Sequence, residues 1–380
     1  MSKAKPVSIR ECFADVGDPR REHMKLHNLW DIIAITILAV VSGADSWIEV
    51  AKYGVNKLEF LRTFLELPNG IPAHDTFGRV FALLNPSALQ EGFLKWVQAV
   101  ADATLGRVVA IDGKTARRSF DKKAGKGPLH MVSAWASANR LLLGQQACDR
   151  KSNEITAIPE LIKNLEISGA IVTIDAMGCQ KEIAATIRDA GADYVLAVKD
   201  NQPTLHDDIR QVFSDGLDTD FAGMEHHSYC TEDQAHGRTE TRVYHIVAVP
   251  EEFAERHSDW EGLRSIGMVY CERQEGDKEP SIETRVFITS LRPRVKKFAR
   301  AVRDHWGIET SLHWVLDMSF REDESRVRKG YGQENLALIR RLAASLLHNE
   351  PTCKAGVACK RKCAGWNDDY LLKVLAASLK

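Results

Sequence analysis

Two short β-branched segments that each run directly into an aspartate constrain the fold of this chain most strongly. Val108–Ile111 precedes Asp112, and Ala170–Ile174 precedes Asp175. Apolar runs of this length, bounded by glycine and polar residues, are typical of buried strands. A carboxylate at the end of a buried strand is costly unless it is paired or binds a metal. If the strands are neighbours about 4.8 Å apart, a divalent cation would relieve the repulsion between the two carboxylates. The alternative is that each aspartate only ends a strand.

Composition excludes several classes of protein. A chain of 380 residues has room for two or three domains, and 44% hydrophobic with 27% charged residues is ordinary for a soluble protein. The longest apolar stretch, Trp30–Val41, contains Asp31 and is too short to span a bilayer. The chain starts without the apolar core of a secretory signal. We therefore expect a cytoplasmic protein with reduced thiols and no membrane partner. A zinc site at Cys353, Cys359 and Cys363 is disfavoured because a C-x-x-C pair is lacking.

Charge is strongly segregated along the chain although the net charge is only −1. Residues 291–303 contain six basic side chains and no acid, and residues 114–126 contain six basic side chains and one acid. Local basic stripes, not the total charge, decide phosphate binding. The alternative is that both stripes are ordinary solvated faces of the protein.

The order of predicted elements divides the chain into two domains. Residues 1–104 show helical spacing and form the first, a helical domain. Residues 105–220 follow the order β-β-β-α-β-α-β, which predicts a mixed sheet with helices on its faces. Residues 220–290 are a β-rich insertion, and helices return after it, so the second domain covers 105–380.

A third acid, Glu309, lies in a segment with helical spacing. The segment 303–320 predicts one helix, on which His305, Glu309 and His313 share a face. Apolar residues spread widely around this helix, so we expect Glu309 to be buried or to line a cleft. The alternatives are an amphipathic helix with its polar residues outward, or a zinc site. The zinc site is disfavoured because residues eight apart on a helix are about 12 Å apart.

Several motifs together resemble one family. They are AIDGKT at 110–115, KSNEITAIPE at 151–160, TIDAMGCQ at 173–180, KDNQPT at 199–204, HWGIE at 305–309, GADSW at 43–47 and NGIPAHD at 69–75. They resemble the H-repeat-associated branch of bacterial insertion-sequence transposases, which are RNase H-like DDE transposases. The wider group has Tyr, Arg and Lys at positions where this chain has Val302, His305 and Leu316.

The resemblance implies a fold, an activity and a site. It implies an α/β fold with an RNase H-like, mixed five-stranded sheet flanked by helices. It implies catalytic, metal-binding Asp112, Asp175 and Glu309, with two Mg²⁺ (or Mn²⁺) ions per active site. Water would first cleave DNA at the element ends, and the released 3′-OH would then attack target DNA. The partners would be double-stranded DNA, both element ends and target, with the protein as a homodimer. The helical domain 1–104 would bind the element ends, and the protein would be nucleoid-associated in the cytoplasm. The residues expected to bind DNA phosphates are Lys114, Arg117, Arg118, Lys296, Lys297, Arg300, Arg303 and His305.

Three alternative functions differ in class. The protein could be an RNase H-like nuclease without strand transfer, which only a joining assay separates from a transposase. It could be a domesticated, non-catalytic DNA-binding derivative, which the presence of all three acids disfavours. A Rossmann dehydrogenase is excluded because no G-x-G-x-x-G motif is present.

Overall fold

The computed structural model describes residues 9–100, 107–120, 125–148, 153–235, 237–276 and 278–376. Its helices, in chain order, are α1 (Ile9–Cys12), α2 (Leu29–Val41), α3 (Trp47–Asn56), α4 (Leu58–Leu61), α5 (His74–Leu83), α6 (Pro86–Val100), α7 (Glu154–Lys163), α8 (Lys181–Asp189), α9 (Pro203–Asp218), α10 (Glu251–Arg256), α11 (Val295–His305), α12 (Trp314–Phe320), α13 (Gly332–Asn349), α14 (Val357–Trp366) and α15 (Asp368–Ala376). Its strands are β1 (Val108–Ala116), β2 (Leu129–Ala136), β3 (Leu141–Ala147), β4 (Ile171–Ile174), β5 (Asp193–Val198), β6 (His226–Ala235), β7 (Arg238–Ala248), β8 (Ser265–Glu275) and β9 (Ser281–Thr289).

The contacts divide the chain into two compact units, each assembled from separate stretches of sequence. The first unit contains residues 1–103, 113–151 and 308–380, and the second contains residues 104–112 and 152–307. Strand β1 passes from the second unit into the first between Asp112 and Gly113.

The first unit is mainly helical and is organised around α2 and α13. Helix α2 is apolar over almost its whole length and is buried from Asp31 to Val41. It packs against α13, which also contacts α5 and β3. Strands β2 and β3 form the predicted antiparallel hairpin, with a bulge between Ala134 and Trp135. Among the residues that the structure describes, no helix is both long and apolar enough to cross a bilayer.

The second unit is built on three parallel strands. Strand β4 lies between β1 and β5 and is parallel to both. Helix α11 packs against β4 and β5 and also against β6 and β7. Phe298 of α11 is completely buried, and an added Cβ at Gly267 of β8 would lie only 2.4 Å from its ring, so glycine permits this close approach.

The prediction of a five-stranded sheet is wrong in its strand number. In the second unit alone, the described residues form a row of seven strands in the order β1-β4-β5-β9-β8-β7-β6. The predicted insertion continues the sheet because β9 pairs antiparallel with β5, from Val195↔Thr289 to Val198↔Val286. An unpaired strand edge attracts another strand, but the sequence does not show which strand will cover it. The mixed α/β class and the helical region before β1 agree with the prediction.

Candidate active site

The two aspartates of the second unit lie at the same level of neighbouring parallel strands. The register of β1 and β4 runs from Val108↔Ile171 to Ile111↔Ile174. Asp112 and Asp175 each follow the last pair by one residue; Asp175 comes after the end of β4 as predicted, whereas Asp112 lies within β1, which continues to Ala116. Parallel strands are about 4.8 Å apart, so both carboxylates belong to the same end of the same strand pair.

The carboxylate of Asp175 is oriented by the main chain that follows it. Asp175 caps a 3₁₀ turn, Ala176–Gly178, and its Oδ1 accepts hydrogen bonds from the N–H groups of Met177 (3.1 Å) and Gly178 (3.4 Å). Surrounding protein and the charge of Glu154 raise the pKa of Asp175 above its ordinary value, and these N–H groups and Lys199 only partly oppose the rise. A negative charge at this position therefore lacks full compensation from the protein.

Glu154 is an acid of this site that the sequence analysis missed. It is the first residue of α7, and its charge acts on Asp175 although the two residues are 21 positions apart. It lies within the motif at 151–160 that carried the family resemblance, which is the signal that could have identified it. Its capping residue, Asn153, accepts a hydrogen bond from Ile155 N–H at 3.1 Å.

Glu309 belongs to the first unit and lies in an irregular helical segment. The segment 303–320 is largely helical as predicted, but it is not one regular helix, because α11 ends at His305, a π-helix covers Glu309–His313, and α12 follows. The π-helix changes the spacing of side chains, so the four-residue stripe predicted for His305, Glu309 and His313 does not hold. The side chain of Glu309 is exposed, so of the two expectations, that it is buried or that it lines a cleft, the first is wrong. Single π-helical turns occur frequently at functional sites.

The donor atoms suit a hard divalent cation. Asp112 and Asp175 offer carboxylate oxygens, the ligands that Mg²⁺ prefers, and the raised pKa of Asp175 is the response expected where a cation would be stabilising. Among the described residues, no group of three or more His, Cys, Asp or Glu side chains is arranged to hold a metal ion. The fit therefore rests on Asp112 and Asp175.

Lys114, a predicted phosphate contact, is buried in an ion network of the first unit. Its Nζ lies 2.7 Å from Asp317, 3.4 Å from Asp323 and 4.0 Å from Glu322. Glu322 also pairs with Arg341 at 2.8 Å, and both are almost completely buried. We call these five residues the Lys114 network. The charge of Lys114 is thus neutralised within the protein.

The two other predicted cations of this stripe lie on the surface. Arg117 is highly exposed and its Nε lies 3.2 Å from Asp323. Arg118 is also exposed, and its carbonyl oxygen accepts a hydrogen bond from Arg328 Nε at 3.2 Å. Lys122 and Lys123, which contributed to the stripe at 114–126, lie outside the described residues.

The second basic stripe forms the outer face of α11. Phe298, Ala299 and Ala301 face the core, whereas the exposed side chains are Lys296, Lys297, Arg300 and Arg303. Most of these cations have acidic neighbours: Lys297 lies 4.0 Å from Asp193, Arg300 3.3 Å from Asp304 and Arg303 3.5 Å from Asp233. Lys296 lies over the ring of Tyr229, 5.7 Å from its centroid.

His305 does not carry the charge that a phosphate contact would need. Its Nδ1 lies 2.9 Å from Thr173 Oγ1, beside the strand that leads to Asp175. Burial, with a further contribution from Arg285, lowers the pKa of His305 to about 4, and the hydrogen bond with Thr173 only partly opposes this. The imidazole is therefore neutral at physiological pH.

Comparison with known proteins identifies the family. A family model described as "Transposase DDE domain" matches residues 103–347, and one described as "DDE_Tnp_1-associated" matches residues 10–97. The "Putative transposase YncI" of Escherichia coli O157:H7 is 40% identical over 372 residues, 97% of this chain and 95% of that protein. The "H repeat-associated putative transposase YhhI" of Escherichia coli strain K12 is 38% identical over 373 residues, 97% of this chain and 98% of that protein. A shorter match, 43% identical over 72 residues, covers 19% of this chain and 86% of the "Inactive transposase YbfQ" of the same strain. The resemblance to the H-repeat-associated proteins is thus confirmed, and the chain belongs to the DDE transposase family.

Proposed function

We propose that this protein is an active insertion-sequence transposase that cleaves DNA at the ends of its element and joins them to target DNA. The observation that carries the proposal is the parallel register of β1 and β4, which brings Asp112 and Asp175 to one end of one strand pair. Family membership supplies the reaction class, and the RNase H-like fold is inferred from it.

Asp112, Asp175 and Glu309 are the acids proposed to hold the divalent metal ions, which are Mg²⁺ or Mn²⁺. When bound, two such ions supply an activated oxygen nucleophile and a stabilised leaving oxygen for phosphodiester chemistry. The turn Ala176–Gly178 holds Oδ1 of Asp175 through two main-chain hydrogen bonds. This orients the carboxylate before a ligand arrives, which lowers the entropy cost of binding.

We also propose roles for the other regions of the chain. Residues 1–104 bind the ends of the element, and residues 105–380 carry the catalytic function. The protein acts on double-stranded DNA as a homodimer. The exposed basic face of α11 contacts phosphates without reading sequence, since phosphate contacts position a protein while base contacts specify the site.

The proposal is tested with duplex DNA that contains the sequence flanking this gene. We expect strand cleavage that exposes a 3′-OH, followed by joining to a second duplex, in Mg²⁺ or Mn²⁺. Ca²⁺ should not support the reaction because it is larger and less exacting in geometry. Cleavage without joining would instead show a nuclease. Tight DNA binding without cleavage in any metal would show a non-catalytic derivative.

A control variant separates metal binding from DNA binding. Glu309→Gln removes one proposed ligand but leaves an exposed polar side chain of the same size. We expect it to lose cleavage while keeping DNA affinity and thermal stability. If Glu309→Gln cleaves like the parent, Glu309 is not the third acid, and Glu154 becomes the next candidate to substitute.

A further inference from the structure

A cavity of about 550 Å³ opens in the first unit, away from the predicted basic stripes in sequence. It is lined by residues from 45–48, at the start of α3, from 74–79, at the start of α5, and from the loop 325–329. We call it the Arg79 cleft. Its volume is within the range of sites that bind ligands of moderate size.

The loop that forms one wall of the Arg79 cleft is fixed in place against α5. Tyr331 N–H donates to the carbonyl oxygen of Ala82 at 3.0 Å. Gly330 has a positive φ of 54°, and an added Cβ there would lie only 2.2 Å from the same oxygen. Asn335, which is almost completely buried, donates to the carbonyl oxygens of Phe81 and Leu84 at 2.8 and 3.0 Å. The wall of the Arg79 cleft is therefore held in place by hydrogen bonds of the fold.

Three of the four Arg and Lys side chains that line the cleft form no ion pair with a described residue. Arg79, Arg326 and Lys329 are exposed, and no carboxylate of the described residues lies within ion-pair distance of them. The two acids that line the cleft have other neighbours: Asp45 pairs with Arg361 at 3.0 Å, and Asp75 lies 3.3 Å from His74 Nδ1. The cleft thus has an excess of available positive charge.

The positive surface continues beyond the cleft. Arg328, a lining residue, donates to the carbonyl oxygen of Arg118 at 3.2 Å and lies over Phe120 at 4.8 Å. Lys126 Nζ donates to the carbonyl oxygen of Gly330 at 3.0 Å. Two basic stretches about 200 residues apart, near 118 and near 328, are thereby joined into one surface. A surface of this extent suits a polyanion better than a single small anion.

We propose that the Arg79 cleft and its continuation bind the phosphate backbone of DNA. The inference rests on the proposed function, since it assigns a second contact region to the same DNA partner. Guanidinium groups recognise phosphate through two parallel hydrogen bonds. Arginine side chains without an ion-pair partner in the protein are available to do so. Such contacts are independent of sequence and release counterions from DNA.

The test compares two double variants of the full chain. Arg79→Gln with Arg326→Gln removes two cations of the cleft. Lys354→Gln with Lys362→Gln removes two exposed cations of the same unit that do not line it. Binding to a duplex is measured between 50 and 200 mM salt. We expect the first variant to shallow the log–log salt slope by about 1.8, at about 0.9 per phosphate contact, and to weaken element ends and random DNA alike. The second variant should keep the slope of the parent.

The outcomes distinguish this inference from the proposed function. If the parent binds DNA and the cleft variant keeps its slope and affinity, the cleft inference is overturned while the proposed function stands. If the parent binds no DNA, both fall. If inorganic phosphate raises the melting temperature of the parent but not of the cleft variant, while DNA binding is unchanged between them, the cleft is a small-anion site and the inference is overturned.

Discussion

Asp175 of the second unit and Glu322 in the Lys114 network of the first unit are two acids with opposite electrostatic surroundings. At Asp175, enclosure by protein and the charge of Glu154 raise the pKa, and the opposing contributions, from main-chain N–H groups and Lys199, are smaller. At Glu322, burial alone would raise the pKa, but Arg341, Arg340 and Lys114 lower it overall. The positive charge near Asp175 therefore does not compensate its carboxylate, whereas the cations around Glu322 do.

This difference separates acids that serve stability from acids that serve binding. Acids with built-in cations are already neutralised, so a metal ion would gain little there. An acid without them is stabilised by an external cation. The comparison argues that Glu322, although it follows Glu309 closely in sequence, is structural, and that an added cation would be stabilising at Asp175.

The largest effect is expected from Asp112→Asn. This change removes a proposed metal ligand, so cleavage should fall by about a thousandfold or more, equivalent to several kcal/mol of transition-state stabilisation. DNA affinity should be nearly unchanged because no phosphate contact is lost. Cleavage rates and DNA binding are measured on the same preparation.

The matched control is Asp317→Asn, a change within the Lys114 network, which should leave the cleavage rate per folded molecule unchanged. Equal loss of cleavage in both variants would remove the distinction between the two regions.

The next largest effect is expected on the free energy of unfolding, from a change in the Lys114 network. Glu322→Gln leaves Arg341 buried and without its 2.8 Å carboxylate partner, so the free energy of unfolding should fall by about 3–5 kcal/mol. Urea unfolding measures this loss. Changing Glu322→Gln together with Arg341→Met should recover much of the stability, because both the charge and its partner are then absent. If Glu322→Gln unfolds like the parent, the network does not stabilise the first unit.

A smaller effect is expected at the exposed face of α11, where cations are only loosely paired. Lys297 and Arg300 lie 4.0 and 3.3 Å from their acids and are well exposed, so these pairs hold the side chains weakly. Removing Lys296, Lys297 and Arg300 together should shallow the salt slope of DNA binding by up to about 2.7. The loss should be the same for element ends and for random DNA. A variant that keeps the parent's slope would show that α11 presents an ordinary solvated face.

The sequence predicts local features of this molecule better than it predicts partners in space. Runs such as Val108–Ile111 have strand character in themselves, so β1 and β4 and the aspartates that follow their apolar runs are identifiable from sequence. The π-helix at Glu309 is not, because a helical pattern does not show one extra residue in a turn. The basic stretch around Lys114 predicts that this residue contacts phosphate, yet three acids from 317–323 neutralise its charge. Such pairing depends on the folding of distant segments together, as does the Arg79 cleft.

The smallest effect separates His305 from Lys114, two predicted phosphate contacts that the fold treats in opposite ways. Lys114 keeps acidic partners, whereas the pKa of His305 is lowered to about 4, mainly by burial. In the unfolded chain the pKa is about 6.5. Between pH 6.5 and 4 the unfolded state therefore binds a proton that the folded state does not. The stability from neutral His305 is complete above pH 6.5 and is lost as the pH falls toward 4, by up to about 1.4 kcal/mol per pH unit.

Urea unfolding at pH 7, 6 and 5 measures how steeply the free energy of unfolding changes with pH. His305→Asn, which keeps a polar group near Thr173, should reduce this slope by the same amount. An unchanged slope in the variant would mean that His305 titrates in the folded protein as it does in the unfolded chain, which would make it available again as a charged phosphate contact.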